Sequence, residues 1–276
     1  MAIMELISVN DLSLQREGYF AFKHVAFSLS QNEIVGISGE NGSGKTQLLE
    51  TIANYERADS GKIKYTPGVR IGYMPQNDPQ IVEQTVRKYL EDIRRLSKNL
   101  AVRKDQLDAM VTYMKLAPYL DRTVDQLSLG LKRRVSFLAA VVGHPNVLLL
   151  DEPFAFQSNE TVQNMLSMLQ DLKDNGSGIL LVGTEQNSEI SEILDSSYHF
   201  ENGKLRQLQS LKTKNSQLFF SVHHNSIALT HDLSGYMMRN TNGVVEMKVP
   251  LDQRDTIIGK MIALNYQFEE AHDIEN

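Results

Sequence analysis

The most constraining feature of the chain is the stretch GENGSGKT, at residues 39–46. A short apolar segment, IVGIS (34–38), comes directly before it, and QLLETIAN (47–54), which has helical periodicity, follows it. A strand, G-x-x-x-x-G-K-S/T and a helix in this order predict a loop whose backbone N–H groups point inward at phosphate oxygens. The positive N-terminal end of the helix adds to the attraction for an anion. A nucleotide phosphate is therefore the expected ligand.

The residue types of this loop indicate separate roles. Lys45 is predicted to reach the β- and γ-phosphates, and the hydroxyl of Thr46 is predicted to bind Mg²⁺. The glycines let the backbone wrap closely around the anion. The predicted nucleotide-binding residues of the loop are consecutive: Gly39, Glu40, Asn41, Gly42, Ser43, Gly44, Lys45 and Thr46.

A second segment, NVLLLDEP (146–153), supplies two acidic side chains. Four consecutive apolar residues (147–150) predict a central parallel strand that is buried on both faces. Asp151 would then lie at the carboxyl end of this strand beside the phosphate loop, where it can hold hydrated Mg²⁺. Glu152, one residue further on, is the candidate to position or deprotonate an attacking water.

Composition limits the class of protein. A length of 276 residues suits one large domain and a small one. No stretch reaches the roughly 18 apolar residues that a membrane span needs, and residues 1–15 lack the pattern of a secretory signal, so we expect a cytoplasmic protein. The absence of cysteine excludes disulfides and thiolate metal sites. The net charge of −6 argues against a nucleic-acid partner.

The segment QLSLGLKRRVSFLAAVVGHPNVLLLDEP (126–153) resembles the ATP-binding-cassette (ABC) ATPases. Their signature, L-S-G-G-Q followed by basic residues, is matched at Leu127, Ser128 and Gly130, and by the basic run 132–134. Leu129 and Leu131 depart from it. The resemblance spans about residues 5–206. Ser128 is also predicted to be the N-cap of the helix that follows.

This resemblance implies a fold and a way of binding ATP. The fold is α/β: a P-loop NTPase cassette with an antiparallel β subdomain and a helical subdomain, which the amphipathic helices predicted between residues 85 and 115 would supply. The cofactors are ATP and Mg²⁺. Members of the family act as head-to-tail dimers, in which ATP is clamped between Lys45 of one chain and Ser128 of the other. Ser128 and Gly130 thereby join the expected nucleotide contacts.

The resemblance also adds residues to the catalytic and metal sites. Gln76, in GYMPQND, matches the Q-loop glutamine, which in the family touches Mg²⁺ and the attacking water. The catalytic candidates are thus Glu152, Gln76 and Lys45, and the metal-binding candidates are Thr46, Gln76 and Asp151.

The family places an aromatic residue that stacks on adenine upstream of the phosphate loop. Alignment of FKHVAFSL on the family pattern puts Arg16 at that position, with Tyr19 and Phe20 nearby. A guanidinium can also stack on a base, but Tyr19 is our candidate.

Two positions depart from the family in a way that bears on hydrolysis. Ser158 stands where the loop after Pro153 usually ends in aspartate, and Thr184 stands where the family has a histidine that bonds the γ-phosphate. Loss of one preorganised donor typically costs about 10²–10³ in rate. Thr184 retains a hydroxyl donor and stays among the expected nucleotide contacts. We therefore expect ATP binding with slow or strongly dimer-dependent hydrolysis.

The chain beyond the cassette has a separate pattern of predicted strands and helices. We predict an ABC ATPase domain at 1–206, a polar linker at 207–215 within the stretch GKLRQLQSLKTKNSQ, and a small accessory or regulatory domain at 216–276. Its predicted order is β-α-β-β-α-β, with a helix over NSIALTHDLSG (225–235), which is a ferredoxin-like α+β unit. Such domains, and the signature form SLGLKRR, resemble the ABC-2-type exporters of bacteriocin and antibiotic export or immunity systems.

Together these features predict the ATPase subunit of an ABC exporter, peripheral on the cytoplasmic face of the cell membrane. Its expected partners are a separate transmembrane permease subunit and a second cassette, identical or different, with no nucleic acid. Two alternatives remain: a soluble ABC ATPase outside transport, and a regulatory cassette that binds ATP with little hydrolysis.

Overall fold

A computed structural model describes residues 4–78, 83–183, 188–208, 215–241, 243–250 and 253–274. The chain forms two compact units, Met1–Gln209 and Ser210–Asn276. Across the described ranges, none of the helices combines the length and the apolar character needed to cross a bilayer.

The first unit contains nine strands and six α-helices within its described residues. In chain order they are β1 (Glu5–Arg16), β2 (Tyr19–Ser30), β3 (Ile34–Gly39), α1 (Lys45–Ile52), β4 (Ser60–Tyr65), β5 (Ile71–Met74), α2 (Val86–Leu96), α3 (Lys104–Tyr113), α4 (Leu129–Val141), β6 (Val147–Asp151), α5 (Asn159–Asp174), β7 (Gly178–Gly183), α6 (Ser188–Ile193), β8 (Ser196–Glu201) and β9 (Lys204–Leu208).

The main sheet brings the ends of several parallel strands to one edge. Its strand order is β5-β6-β7-β3-β8-β9, in which the first five strands are parallel and β9 pairs antiparallel with β8. In such sheets, ligands bind outside the carboxyl ends of the strands, at the point where the strand order reverses. The loops after β3, β5, β6 and β7 all leave from this edge.

The buried strand β6 separates two hydrophobic cores. Leu148 and Leu150 pack into a core formed largely with α2, α3, α4 and α5. Val147 and Leu149 face the opposite core, which contains α1 and the antiparallel sheet β2-β1-β4. Every residue of β6 is buried. The predicted strand with two buried faces is therefore confirmed, and side-chain alternation along it explains why its first four positions are all apolar.

The helical part of the first unit follows the predicted pattern. Thr85 caps α2 by accepting a hydrogen bond from the Lys88 N–H. Val86 and Leu90 are fully buried against the core, whereas Leu96, in the same apolar stripe, is 80% exposed because α2 ends there and the chain turns away. Ser128 caps α4 through the Leu131 N–H at 3.4 Å, as predicted.

The second unit has the predicted ferredoxin-like topology. It contains β10 (Asn215–Val222), α7 (His231–Ser234), β11 (Met237–Thr241), β12 (Val244–Pro250), α8 (Arg254–Ala263) and β13 (Tyr266–Ile274). The strand order is β11-β12-β10-β13 and every pair is antiparallel. Leu218, Phe220 and Met247 of the sheet pack with Ile257 and Met261 of α8.

Two predicted boundaries in this region differ from the structure. The helix expected over 225–235 is reduced to α7, because the Ile227 N–H donates to the Leu264 carbonyl at 2.9 Å instead of to its own segment. The linker expected from residue 207 starts too early. Gln207 and Leu208 belong to β9, where they pair with Tyr198 and Ser197 of β8. Residue 215 already lies in β10.

Candidate functional site

The loop between β3 and α1 is shaped by glycine at its last turn. Gly44 has a φ of 106° and precedes the first residue of α1. A Cβ on Gly44 would lie 2.2 Å from the carbonyl oxygen of Ala21 in β2. Only glycine combines this backbone conformation with so close an approach of another strand. The loop is thereby pressed against the start of β2, with its helix N-terminus open to an anion.

The Lys45 side chain runs back from the start of α1 to the beginning of the phosphate loop. Its side chain is buried, and Nζ donates to the carbonyl oxygens of Gly39 and Glu40, both at 2.7 Å. Burial lowers the pKa of the ammonium, while the nearby carboxylates of Glu152 and Asp151 act in the opposite direction. An ammonium held by carbonyls of its own loop can exchange them for the more strongly charged oxygens of a phosphate.

Three oxygen-bearing side chains converge beyond the loop. The Thr46 hydroxyl Oγ1 lies 2.7 Å from Oδ2 of Asp151 and 3.4 Å from Oε1 of Gln76. The three residues come from the ends of different elements: the start of α1, the loop after β5 and the last position of β6. The predicted metal-binding residues are thus brought together in space.

This donor set suits Mg²⁺ that enters with a nucleotide. Hydroxyl, amide and carboxylate oxygens are hard ligands, and Mg²⁺ is commonly held by one or two carboxylates plus substrate phosphates. Asp151 is the only carboxylate of the set, and the described residues contain no cluster of three or more His, Cys, Asp or Glu side chains that could hold a metal without the nucleotide. The residues therefore fit a metal whose coordination the phosphates complete.

Asp151 is held in an environment that opposes its charge. Burial raises its pKa to about 6, and the neighbouring Glu152 adds to this effect. The hydrogen bond from Thr46 and the positive charges of Arg133 and Lys45 act in the opposite direction without cancelling it. A cation bound at this site would stabilise the negative charge of Asp151, which the surrounding protein groups only partly offset.

Glu152 adopts an unusual backbone conformation beside the metal-binding residues. Its φ is 48°, in the left-handed region that few residues other than glycine occupy, and such conformations cluster at functional sites. The Glu152 N–H donates to the Val182 carbonyl at 2.8 Å. Its carboxylate oxygen lies beside Gly183, 3.5 Å from where a Cβ would stand. The candidate for positioning water therefore lies between β6 and β7, next to Asp151.

The signature segment contacts a different loop. A Cβ on Gly130 would lie 2.6 Å from the Phe156 carbonyl oxygen, and the Gly130 carbonyl accepts a bond from Gln157 Nε2 at 3.0 Å. Ser128 is exposed at the N-terminus of α4. Within the described residues, no hydrogen bond joins Ser128 or Gly130 to the phosphate loop of the same chain.

The remaining predicted contacts are placed as follows. Tyr19 is 81% exposed at the start of β2, two residues before the Ala21 carbonyl that touches the phosphate loop. Arg16, the alternative to it, forms an ion pair with Glu56. Thr184 lies outside the described residues.

One residue at the site has a role that the sequence did not indicate. Arg133, noted only as part of the basic run after the signature, is buried and bonds carbonyl oxygens of both Gln76 and Asp151. Its helical position offered a signal, because residues 133, 137 and 140 are spaced at three and four residues and form the buried face of α4.

Comparisons with known proteins identify relatives of the chain. A family model described as ABC transporter matches residues 22–155. The mouse ABC-type organic anion transporter ABCA8A is 29% identical over 217 residues, but the aligned region covers 73% of this chain and only 13% of that protein. The lipopolysaccharide export system ATP-binding protein LptB of Haemophilus influenzae is 28% identical, with 73% of this chain and 89% of the relative covered.

A further relative and two solved structures extend the comparison. The zinc import ATP-binding protein ZnuC of a Jannaschia species is 31% identical over 183 residues, covering 66% of this chain and 74% of the relative. The structure of an ATP-binding subunit of an ABC transporter superposes with a TM-score of 0.67 at 22% identity, covering 75% of this chain and 90% of that one. A dimeric bacterial ABC transporter cassette, MJ0796, gives a TM-score of 0.66 at 18% identity, covering 74% and 98%.

The region matched by the family model, 22–155, includes the phosphate loop, the strand carrying Asp151 and the signature segment of this chain. The two solved structures support the cassette fold, and the sequence matches support the relationship. The chain therefore belongs to the ATP-binding cassette ATPases of ABC transporters.

Proposed function

We propose that this chain is the ATP-hydrolysing subunit of an ABC exporter. The observation that carries the proposal is the convergence of Thr46, Gln76 and Asp151 on one point, with Lys45 inside the phosphate loop and Glu152 one residue beyond the metal ligand. In this arrangement Lys45 and the loop N–H groups bind the phosphates. Thr46, Gln76 and Asp151 would hold Mg²⁺, which neutralises developing charge on the phosphoryl group when bound. Glu152 would position the attacking water.

The direction of transport is a finer part of the proposal. The relatives include an export protein and an import protein, so direction is argued from this chain alone. The signature form SLGLKRR and a ferredoxin-like unit after the cassette both favour the ABC-2-type exporters. This support is by analogy with a branch of the family. We assign residues 216–276 to an accessory domain and place the chain on the cytoplasmic face of the membrane, bound to a transmembrane permease subunit.

The catalytic cycle that we propose requires two cassettes. Ser128 and Gly130 lie at the exposed N-terminus of α4, and we assign them to the nucleotide of a second cassette, identical or different. Hydrolysis is proposed to be slow, because Ser158 and Thr184 replace the charged or imidazole groups that members of the family use at these positions. Tyr19 is our candidate for contact with the adenine ring, since an exposed ring near the phosphate loop is free to stack.

The same two replacements favour a second candidate function, a regulatory cassette in which ATP drives association and hydrolysis is nearly absent. The two functions differ in whether Glu152 is used. In the exporter, Glu152 acts in every cycle. In the regulatory cassette, ATP binding alone produces the response.

Replacement of Glu152 by glutamine separates the two functions. For the exporter we expect turnover of the purified full-length chain to fall by about 10²-fold or more, the range for a lost general base. ATP binding should be unchanged, and the E152Q protein should accumulate as a nucleotide-bound dimer in size-exclusion chromatography. Equal turnover of the wild type and E152Q would instead support the regulatory cassette.

Coexpression with a candidate transmembrane permease subunit tests the partner. Copurification and stimulation of turnover are expected for the exporter. A chain that shows full cassette turnover alone, without stimulation, would contradict the slow, partner-dependent cycle.

A further inference from the structure

Arg133 connects two segments of the nucleotide site. It lies in α4 with 3% of its surface exposed. Its Nη1 donates to the carbonyl oxygens of Pro75 at 2.7 Å and Gln76 at 3.0 Å, and to Oδ1 of Asp78 at 3.0 Å. Its Nη2 donates to the carbonyl oxygens of Asp151 at 2.5 Å and Glu152 at 2.9 Å.

These contacts occur where the sheet no longer holds the two segments together. The ladder between β5 and β6 ends at the pair Met74 and Leu150. Beyond it, the segment that carries Gln76 is no longer paired with β6, whose Asp151 remains paired with Val182 of β7, and Pro75 has no N–H with which to continue the ladder. Carbonyl groups in a buried position need donors. The guanidinium of Arg133 supplies these donors to both segments at once.

The shape of the guanidinium matters for this role. Arginine presents donors from a rigid planar fork, whereas lysine has three donors on one nitrogen atom. Nη1 serves the segment after β5 and Nη2 serves the end of β6, so the separation of the two nitrogens sets the separation of the two segments. Nε of Arg133 is buried and has no partner among the described residues, which is unfavourable for stability.

We propose that Arg133 is a positioning residue, which fixes the Gln76 side chain relative to Asp151 and Glu152 and so prepares the site for Mg²⁺-loaded nucleotide. The proposal rests on the function proposed above. Arg133 does not touch the reacting atoms in this arrangement. It acts through the backbone of the residues that do.

The test combines a measurement without ligand and one with nucleotide on the full-length chain. In EDTA, amide hydrogen exchange in peptides covering 71–78 and 150–156 should be faster in Arg133→Lys than in the wild type, because the bridge between the segments is lost. A fluorescent ATP analogue then gives the affinity with EDTA and with Mg²⁺. We expect the nucleotide affinity of R133K in EDTA to stay within about twofold of the wild-type value, because the phosphate loop is intact. The increase in affinity on adding Mg²⁺, which we call the Mg²⁺ gain, should be at least tenfold smaller in R133K than in the wild type.

Arg87→Lys is the matched control. Arg87 also pairs with an aspartate at 3.0 Å, Asp121, but this pair is exposed and lies in the helical part of the unit. R87K should leave both measurements at their wild-type values. Asp78→Asn tests the same bridge with Arg133 in place, and should shift both measurements in the same direction by a smaller amount.

The results separate a positioning role from a merely structural one. If R133K lowers the melting temperature but leaves the Mg²⁺ gain and the local exchange rates unchanged, the proposal is wrong. If R133K does not fold, D78N decides: an unchanged Mg²⁺ gain in D78N overturns the proposal. Wild-type protein that binds Mg²⁺-nucleotide without hydrolysing it would contradict the proposed ATPase function alone, because the two measurements do not depend on turnover.

Discussion

Asp151→Asn should make the nucleotide-free protein more stable, although it removes a residue that we assign to the metal. Burial at the end of β6 raises the pKa of Asp151 from its ordinary 3.8 to about 6. The ionised carboxylate is therefore unfavourable in the folded protein at neutral pH. Asparagine has nearly the same shape, carries no charge and can still accept the Thr46 hydrogen bond that Asp151 accepts at 2.7 Å.

The size of the effect follows from proton linkage. Between pH 3.8 and about 6 the folded protein binds more protons at Asp151 than the unfolded chain does, so the free energy of unfolding falls as pH rises through this window. The penalty is complete above the folded pKa. A pKa difference of about 2.2 corresponds to about 3 kcal/mol at pH 8, and the same linkage gives about 1.6 kcal/mol at pH 5. These values are upper limits for the gain in D151N.

Urea denaturation followed by circular dichroism, in EDTA at pH 8 and pH 5, measures this gain. We expect D151N to be more stable than the wild type at both pH values, with the difference at pH 5 about half of that at pH 8. Asp108→Asn, at an exposed position of α3, is the control and should change stability by less than about 0.5 kcal/mol at either pH. A D151N protein that is less stable at pH 8, or whose advantage does not shrink at pH 5, would refute the reasoning.

Two further predictions concern the loops of the site. Gly44→Ala should abolish ATP binding and destabilise the first unit by more than about 2 kcal/mol, because its Cβ would overlap the Ala21 carbonyl at a φ of 106°. Gly42→Ala, at a φ of 78° with open space around it, should cost only about 1–2 kcal/mol. It serves as the comparison for Gly44→Ala in ATP-binding and urea-denaturation measurements. Gln157→Leu should lower the free energy of unfolding by about 1–3 kcal/mol, because the Gly130 carbonyl and the Arg134 Nε lose their partners. Gln157→Glu, which retains the acceptor for Arg134, should lose less in the same urea titration.

The sequence could predict where the site lies because strand direction decides it. Asp151 directly follows four apolar residues, and Gln76 follows a shorter strand, so parallel pairing must bring both to one edge of the sheet. The phosphate loop, after β3, reaches the same edge. The convergence of Thr46, Gln76 and Asp151 is therefore a consequence of topology, and the structure supplies only its distances.

Arg133 could not be identified in the same way. The run KRR offers three basic side chains, and which one points inward depends on the rotation of α4 about its axis. The spacing of Phe137 and Ala140 indicates which face of α4 is buried, but the carbonyl partners of Arg133 lie in segments far from it in sequence, and only the tertiary structure shows them. The late start of the linker and the short helix α7 have a related cause: pairing with β8 extends β9 to Leu208, and a hydrogen bond to the Leu264 carbonyl takes Ile227 out of the predicted helix.

In the loop after Pro153, Ser158 keeps one of the two roles that an aspartate at this position could have, the capping of α5. Ser158 caps α5 by accepting from the Thr161 N–H at 3.4 Å, and Asp and Ser are equally good at that task. Phe156, with a φ of 61° and 71% exposed, still presses its carbonyl against Gly130, and Gln157 bonds the signature segment on the other side. The loop is therefore firmly attached to its own signature helix without the carboxylate. What serine does not supply is a negative charge directed at a second cassette, so the replacement should affect communication between two nucleotide sites and leave the folding of this one intact.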